Sequence, residues 1–177
     1  MMSLFNLIFA SVFVNNIVTH SLLGIPTILD AGYQKILKNG MALIIITILS
    51  SMANYYIYDI LVQYNVIYLK TGILILLIVI LTKLLSIIFK NVDFNHLLTN
   101  TIILGITLLN IQTGYNLIEV VAYSLASSVG FLILTFLVMI ISDRMAISKI
   151  KEPLKGIPIT LITMSILYLI FYHLGLK

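Results

Sequence analysis

Neither cysteine nor tryptophan occurs anywhere in the 177 residues. Without a thiol the chain can form no disulfide, no thiolate zinc site, no cysteine nucleophile and no cysteine-ligated iron–sulfur cluster of its own. Charge is scarce too: Asp, Glu, Lys and Arg make up 9% of the chain, against about 25% in an ordinary soluble domain. The histidines are three, His20, His96 and His173. They fall near the ends of three different apolar runs with no HxxxH spacing, so a metal site built on them is not expected. No phosphate loop, nucleophile elbow, metalloprotease helix or nucleic-acid module is present.

What fills the chain instead is hydrocarbon. The hydrophobic share is 61% and the mean hydropathy +1.16. Six apolar runs cover roughly Leu4–Leu23, Gly40–Val62, Ile67–Phe89, Leu97–Thr113, Val120–Ile141 and Gly156–Leu174. A bilayer core about 30 Å thick is crossed by about 20 apolar helical residues. Backbone polar groups in lipid must be paired internally, which leaves only helices or closed barrels. The runs are continuous and helix-length rather than short and alternating. The expectation is an all-α membrane protein with six transmembrane helices and a single membrane domain over 1–177. The first run has no basic residue before Lys35 and no small-residue cleavage site; it is expected to be retained as a span rather than removed as a signal peptide.

The net charge of +4 is read as topological, not as a nucleic-acid footprint. Lys35 and Lys38 follow the first span, Lys90 the third, and Arg144, Lys149, Lys151 and Lys155 the fifth. The alternate side carries little beyond Asp59, Lys70, Glu119 and Lys177. Because basic residues are enriched in cytoplasmic loops, both termini are expected on the outer side.

Two runs carry breaks. The first leads into Leu22-Leu23-Gly24-Ile25-Pro26-Thr27, where Pro26 lacks an N–H and Gly24 is unrestrained. The fourth contains Thr99-Asn100-Thr101-Ile102-Ile103-Leu104-Gly105-Ile106. Leu-Gly-Ile recurs at 23–25 and 104–106, and Leu69-Lys70-Thr71-Gly72-Ile73 is echoed by Leu154-Lys155-Gly156-Ile157. Two three-helix repeats follow, about 1–92 and 93–177. An odd number of crossings per repeat makes them inverted, an arrangement whose broken helices point to a midplane site.

The polar midplane candidates are Asn15 and Asn16 in the first run and Asn100 and Asn110 in the fourth. A buried amide is costly unless paired. It serves either interhelical hydrogen bonding or a polar lining, and the sequence leaves both open. Asp59, behind Tyr55, Tyr56 and Tyr58, is expected in an interfacial aromatic belt, and Lys83 is expected to snorkel. The small residues Ser50-Ser51-Met52-Ala53 and Ala126-Ser127-Ser128-Val129-Gly130 predict close helix packing.

Together these pieces resemble a known family. Val14-Asn15-Asn16 with Leu23-Gly24-Ile25, Ile67-Tyr68-Leu69-Lys70-Thr71, Thr99-Asn100, Leu104-Gly105 and the run from Leu108 to Asn116 are similar, in order and spacing, to the integral membrane subunits of the Rnf and Nqr ion pumps. Ser128-Val129-Gly130-Phe131, Arg144, and Pro153-Leu154-Lys155-Gly156 with Leu161-Ile162-Thr163 extend the likeness, which is to the Rnf A/Nqr E type. The resemblance implies a subunit of the bacterial plasma membrane, paired with a sister six-helix subunit of opposite topology within a larger complex. It also implies two cysteines per subunit, one from each broken helix, which together hold a [2Fe–2S] cluster. Those positions fall on Pro26 and Thr101 here. Proline has no ligand atom and threonine is a poor iron ligand, so no cofactor is expected on this chain, nor any catalytic or metal-binding residue. The family's Gln-x-x-Glu near the end of the third span reads Lys83-Leu84-Leu85-Ser86. The expectation is a non-catalytic membrane subunit of an ion-translocating electron-transport complex. A small-solute or ion transporter, or a purely structural partner built on the same inverted-repeat fold, stands as the alternative.

Overall fold

The computed structural model describes residues 4–14, 16, 33–88, 101–147 and 152–175. Among them the chain is helical, with no strand. Helix α1 spans Leu4–Phe9 and passes into a π-helical turn, Ala10–Val14. Then come α2 (Tyr33–Gln63), α3 (Lys70–Ile88), α4 (Thr101–Thr113), α5 (Leu117–Ile147) and α6 (Ile157–Gly175). Short 3-10 turns, Ile67–Leu69 and Glu152–Leu154, precede α3 and α6. Three stretches, Asn39–Gln63, Ile67–Ile87 and Leu117–Met145, are long and apolar enough to cross a membrane; Leu4–Phe13, Thr101–Thr113 and Ile157–His173 are shorter apolar helices.

Helices α2 and α5 are longer than their apolar runs. Each has 31 residues, about 46 Å at 1.5 Å per residue, so their ends project beyond a hydrocarbon core about 30 Å thick. A helix ends where its backbone bonding ends, not where apolarity does, and the first turns of α2 carry Lys35 and Lys38 along. The α4–α5 turn is made by Gly114 at φ 66° and a capping box, with the Asn116 N–H donating to Glu119 Oε2 at 3.0 Å. That bond satisfies one of the N–H groups that a helix start leaves open.

The core is a packed pair. Helix α2 lies along α5, α4 lies on α2, and α1 with its π turn lies on α5; α3 packs on α2 and α4, and α6 packs on α5 and the π turn. Leu43, Ile46, Ile102, Ile103, Ile106, Phe131, Leu134 and Met164 form its apolar centre. The small-residue stripes lie where close packing requires them: Ser50, Ser51, Ala126, Ser127 and Ser128 are fully buried. Gly130 is the tightest point, because a Cβ there would come within 2.8 Å of the Val12 carbonyl oxygen. By contrast α3 buries a single stripe, Leu74, Ile78 and Thr82, and turns Ile75, Leu76, Ile80, Leu84 and Ile87 outward.

Of the expected break in the fourth run, only Thr101 to Ile106 lies within the described residues. From Thr101 onward the helix is continuous through Leu104, Gly105 and Ile106, and Gly105 is buried within it. A helix tolerates an interior glycine at a cost of only about 1 kcal/mol. Residues before Thr101, including Asn100, lie outside the described residues, as do Asn15, Gly24 and Pro26. In the first run regular α geometry already gives way at Ala10, a feature the sequence did not announce.

Candidate functional site

Two of the polar candidates can be placed. Asn16, 1% exposed, donates from Nδ2 to the Val12 carbonyl at 2.9 Å, just beyond the π turn. The nearby Ser11 hydroxyl donates to the Leu7 carbonyl at 2.7 Å. Asn16 also abuts Gly130 of α5, its Nδ2 2.9 Å from where a Cβ would sit. The amide is therefore part of the α1–α5 contact.

Asn110 behaves differently. It is 4% exposed; Nδ2 donates to Ser124 Oγ at 2.9 Å, while Oδ1 is buried with no hydrogen-bond partner. Ser128 Oγ donates in turn to the Ser124 carbonyl at 2.6 Å. Beside it lies a second polar group that sequence reasoning missed. Asn54 donates to the Thr107 carbonyl at 3.4 Å, and Ser51 reaches Thr107 Oγ1 at 3.5 Å. Both are long for hydrogen bonds and add little energy. Thr107 Oγ1 makes its strong bond to the Ile103 carbonyl at 2.6 Å. The signal for Asn54 was present: Ser50, Ser51 and Asn54 recur at helical spacing, so one face of α2 is polar where it meets α4 and α5.

These groups border a cleft of about 210 Å³ between the C-terminal ends of α2 and α4 and the first turn of α5. Ser51, Asn54, Asn110 and Val120 form its buried end, and Asp59, Gly114 and Asn116 its exposed end. Tyr55, Tyr58 and Tyr115 line it between them. Tyr115 is held by Tyr123, ring centroids 5.4 Å apart. Asp59 and two of the tyrosines expected in an aromatic belt are thus gathered around one concavity. The three remaining expectations separate from it: Lys83 is exposed on α3, Thr101 is exposed at the first turn of α4, and His173 is exposed in the last turn of α6. Thr101 stands nine residues before Asn110, about 14 Å along the helix axis, so Thr101 and the cleft are different places. Among the described residues no group of three His, Cys, Asp or Glu is arranged to hold a metal ion.

Comparison with known proteins bears on what this bundle serves. The family model for the Rnf-Nqr subunit, a membrane protein, matches residues 4–176. The chain is 31% identical to the A-type subunit of the Na⁺-translocating ferredoxin:NAD⁺ oxidoreductase complex of Acetobacterium woodii, over 96% of this chain and 95% of that one. It is 30% identical to the A-type subunit of the ion-translocating oxidoreductase complex of Serratia proteamaculans, over 91% of this chain and 90% of the other. The corresponding protein of an Escherichia coli strain gives the same identity and coverage.

Proposed function

Because the chain belongs to the Rnf-Nqr family of membrane subunits, we propose that it is the A-type integral membrane subunit of an ion-translocating electron-transport complex, present without iron ligands of its own. The observation that carries this reading is the coverage: the likeness runs through the whole bundle and about nine-tenths of each relative, not through one shared helix.

The architecture supports an inverted repeat. Helices α3 and α6 are both entered through a three-residue 3-10 turn. Most of the packing pattern also maps onto itself when α1, α2 and α3 are exchanged for α4, α5 and α6, although the α4–α5 contact has no α1–α2 counterpart of like extent among the described residues. Pairing of α1 with α5 becomes α4 with α2, and α2 with α3 becomes α5 with α6. Two copies of one three-helix unit, facing each other through α2 and α5, produce that pattern. The outward apolar face of α3 leaves ample surface for lipid and for a sister subunit.

The residues present do not fit the family's cluster. The chain has no thiol, and iron–sulfur clusters are held by thiolates, with histidine as the occasional substitute. The two positions are Pro26, outside the described residues, and Thr101, an exposed hydroxyl. We therefore assign the chain a scaffold or ion-path role, with both termini on the outer face of the plasma membrane and any membrane-embedded iron held by partner cysteines.

Affinity purification of the tagged chain from its native membrane tests this. A second six-helix subunit is expected to come with it, together with flavin-bearing partners. Recovery with no partner under mild detergent would refute the assignment. Electron paramagnetic resonance of that complex is expected to lose any membrane-embedded iron signal when partner cysteines are replaced. A signal that survives there would show iron held without them.

A further inference from the structure

The cleft at the end of α2 and α4 is not explained by the cluster position, which lies at the far end of α4, nor by subunit pairing through α3. Three features define its chemistry. Asp59 carries the one carboxyl group among its lining residues, and none of those residues is basic. Tyr55, Tyr58 and Tyr115 supply aromatic surface. Its inner end is formed by the buried polar side chains of Ser51, Asn54 and Asn110.

A net negative recess with aromatic walls selects for positive charge. The faces of aromatic rings attract cations, and such cages recognise ammonium groups carrying carbon substituents. The size fits that class. Drug-sized ligands occupy about 300–1,000 Å³, whereas about 210 Å³ suits a compact molecule of few heavy atoms. A bare calcium ion is the poorer match, because it requires six or more oxygens at about 2.3–2.6 Å, and much of this lining is ring.

We propose that this cleft binds a small organic ammonium compound, with Asp59, Tyr55, Tyr58 and Tyr115 around the cationic head and the polar inner wall of Ser51, Asn54 and Asn110 beyond it. The site lies at the end of the bundle opposite Arg144, since α5 runs its full length between Glu119 and Arg144. This binding is a property of the single chain and does not depend on the complex it joins.

The test uses the full chain in lipid nanodiscs. Choline chloride is titrated against NaCl of equal ionic strength, with binding read by saturation-transfer NMR on the choline methyl protons and by thermal unfolding. The expected result is saturable transfer to choline and a rise in unfolding temperature that NaCl does not give. Asp59→Asn, a change at an exposed position, is expected to weaken binding about tenfold, the loss of one charge interaction of ordinary size, with the unliganded unfolding temperature unchanged. No saturable transfer at millimolar choline would overturn the proposal. So would equal stabilisation by NaCl, or binding that Asp59→Asn leaves intact.

Discussion

Asn16 and Asn110 carry the same functional group in two different settings. Asn16 ties backbone to a helix contact: its Nδ2 donates to the Val12 carbonyl beside the π turn, against Gly130. Removing it loses that bond and the packing against α5, at a cost of about 1 kcal/mol or more. Asn110 already leaves its own oxygen unpaired, so Asn110→Leu gives up one bond to Ser124 and also relieves an unpaired acceptor. Thermal unfolding in detergent is expected to fall clearly for Asn16→Leu and little for Asn110→Leu. The reverse order would mean that Asn110 is the packing amide. Both asparagines stand out in the sequence as polar residues in apolar runs. Their division of labour does not, because it depends on Val12, Gly130 and Ser124, which only the fold brings within reach.

Elements meet through glycines and serines, and three glycines make a graded experiment. At Gly130 a methyl group would meet Val12 backbone at 2.8 and 2.9 Å, so one helix must move off the other. At Gly40 the nearest obstacle is the tip of Leu132, Cδ2 at 2.8 Å, a side chain that can turn aside. At Gly72 nothing lies within 4 Å. Overpacking of a close contact costs typically about 1–3 kcal/mol, while alanine is the better helix former by about 1 kcal/mol. Unfolding temperatures are therefore expected in the order Gly130→Ala lowest, Gly40→Ala near the parent, Gly72→Ala at or above it. A neutral Gly130→Ala would show that α1 and α5 approach less closely than the structure has them. The stripe Ala126–Gly130 was readable as a packing face, since small residues let helices approach. The π turn at Ala10–Val14 was not, because no residue there is a helix breaker.

For the whole molecule, the distribution of Lys and Arg makes a prediction that the lack of cysteine renders easy to check. Tyr64→Cys and Lys155→Cys place single thiols in exposed positions of an otherwise thiol-free chain, separated by the three helices α3, α4 and α5. An impermeant maleimide is expected to label the first in intact cells and the second only after permeabilisation. Labelling of both from one side would rule out an odd number of crossings between them, and with it the inverted repeat. The peripheral place of α3 leads to a further expectation: substitutions such as Leu76→Ala on its outward face should leave monomer stability nearly unchanged and reduce yield of the assembled complex if that face meets a partner. Unchanged assembly would assign it to lipid.

The sequence by itself determined the solvent, the helical class and the family pattern. Hydropathy adds residue by residue along a run, and lipid permits a long apolar run few conformations other than a helix. Tertiary structure alone decided the cleft. Ser51, Asn54 and Asp59 come from α2, Asn110 and Tyr115 from the end of α4 and its turn. Whether they face lipid, each other or an opening is set by how closely α2, α4 and α5 approach, and that spacing is a joint property of surfaces distant in the chain.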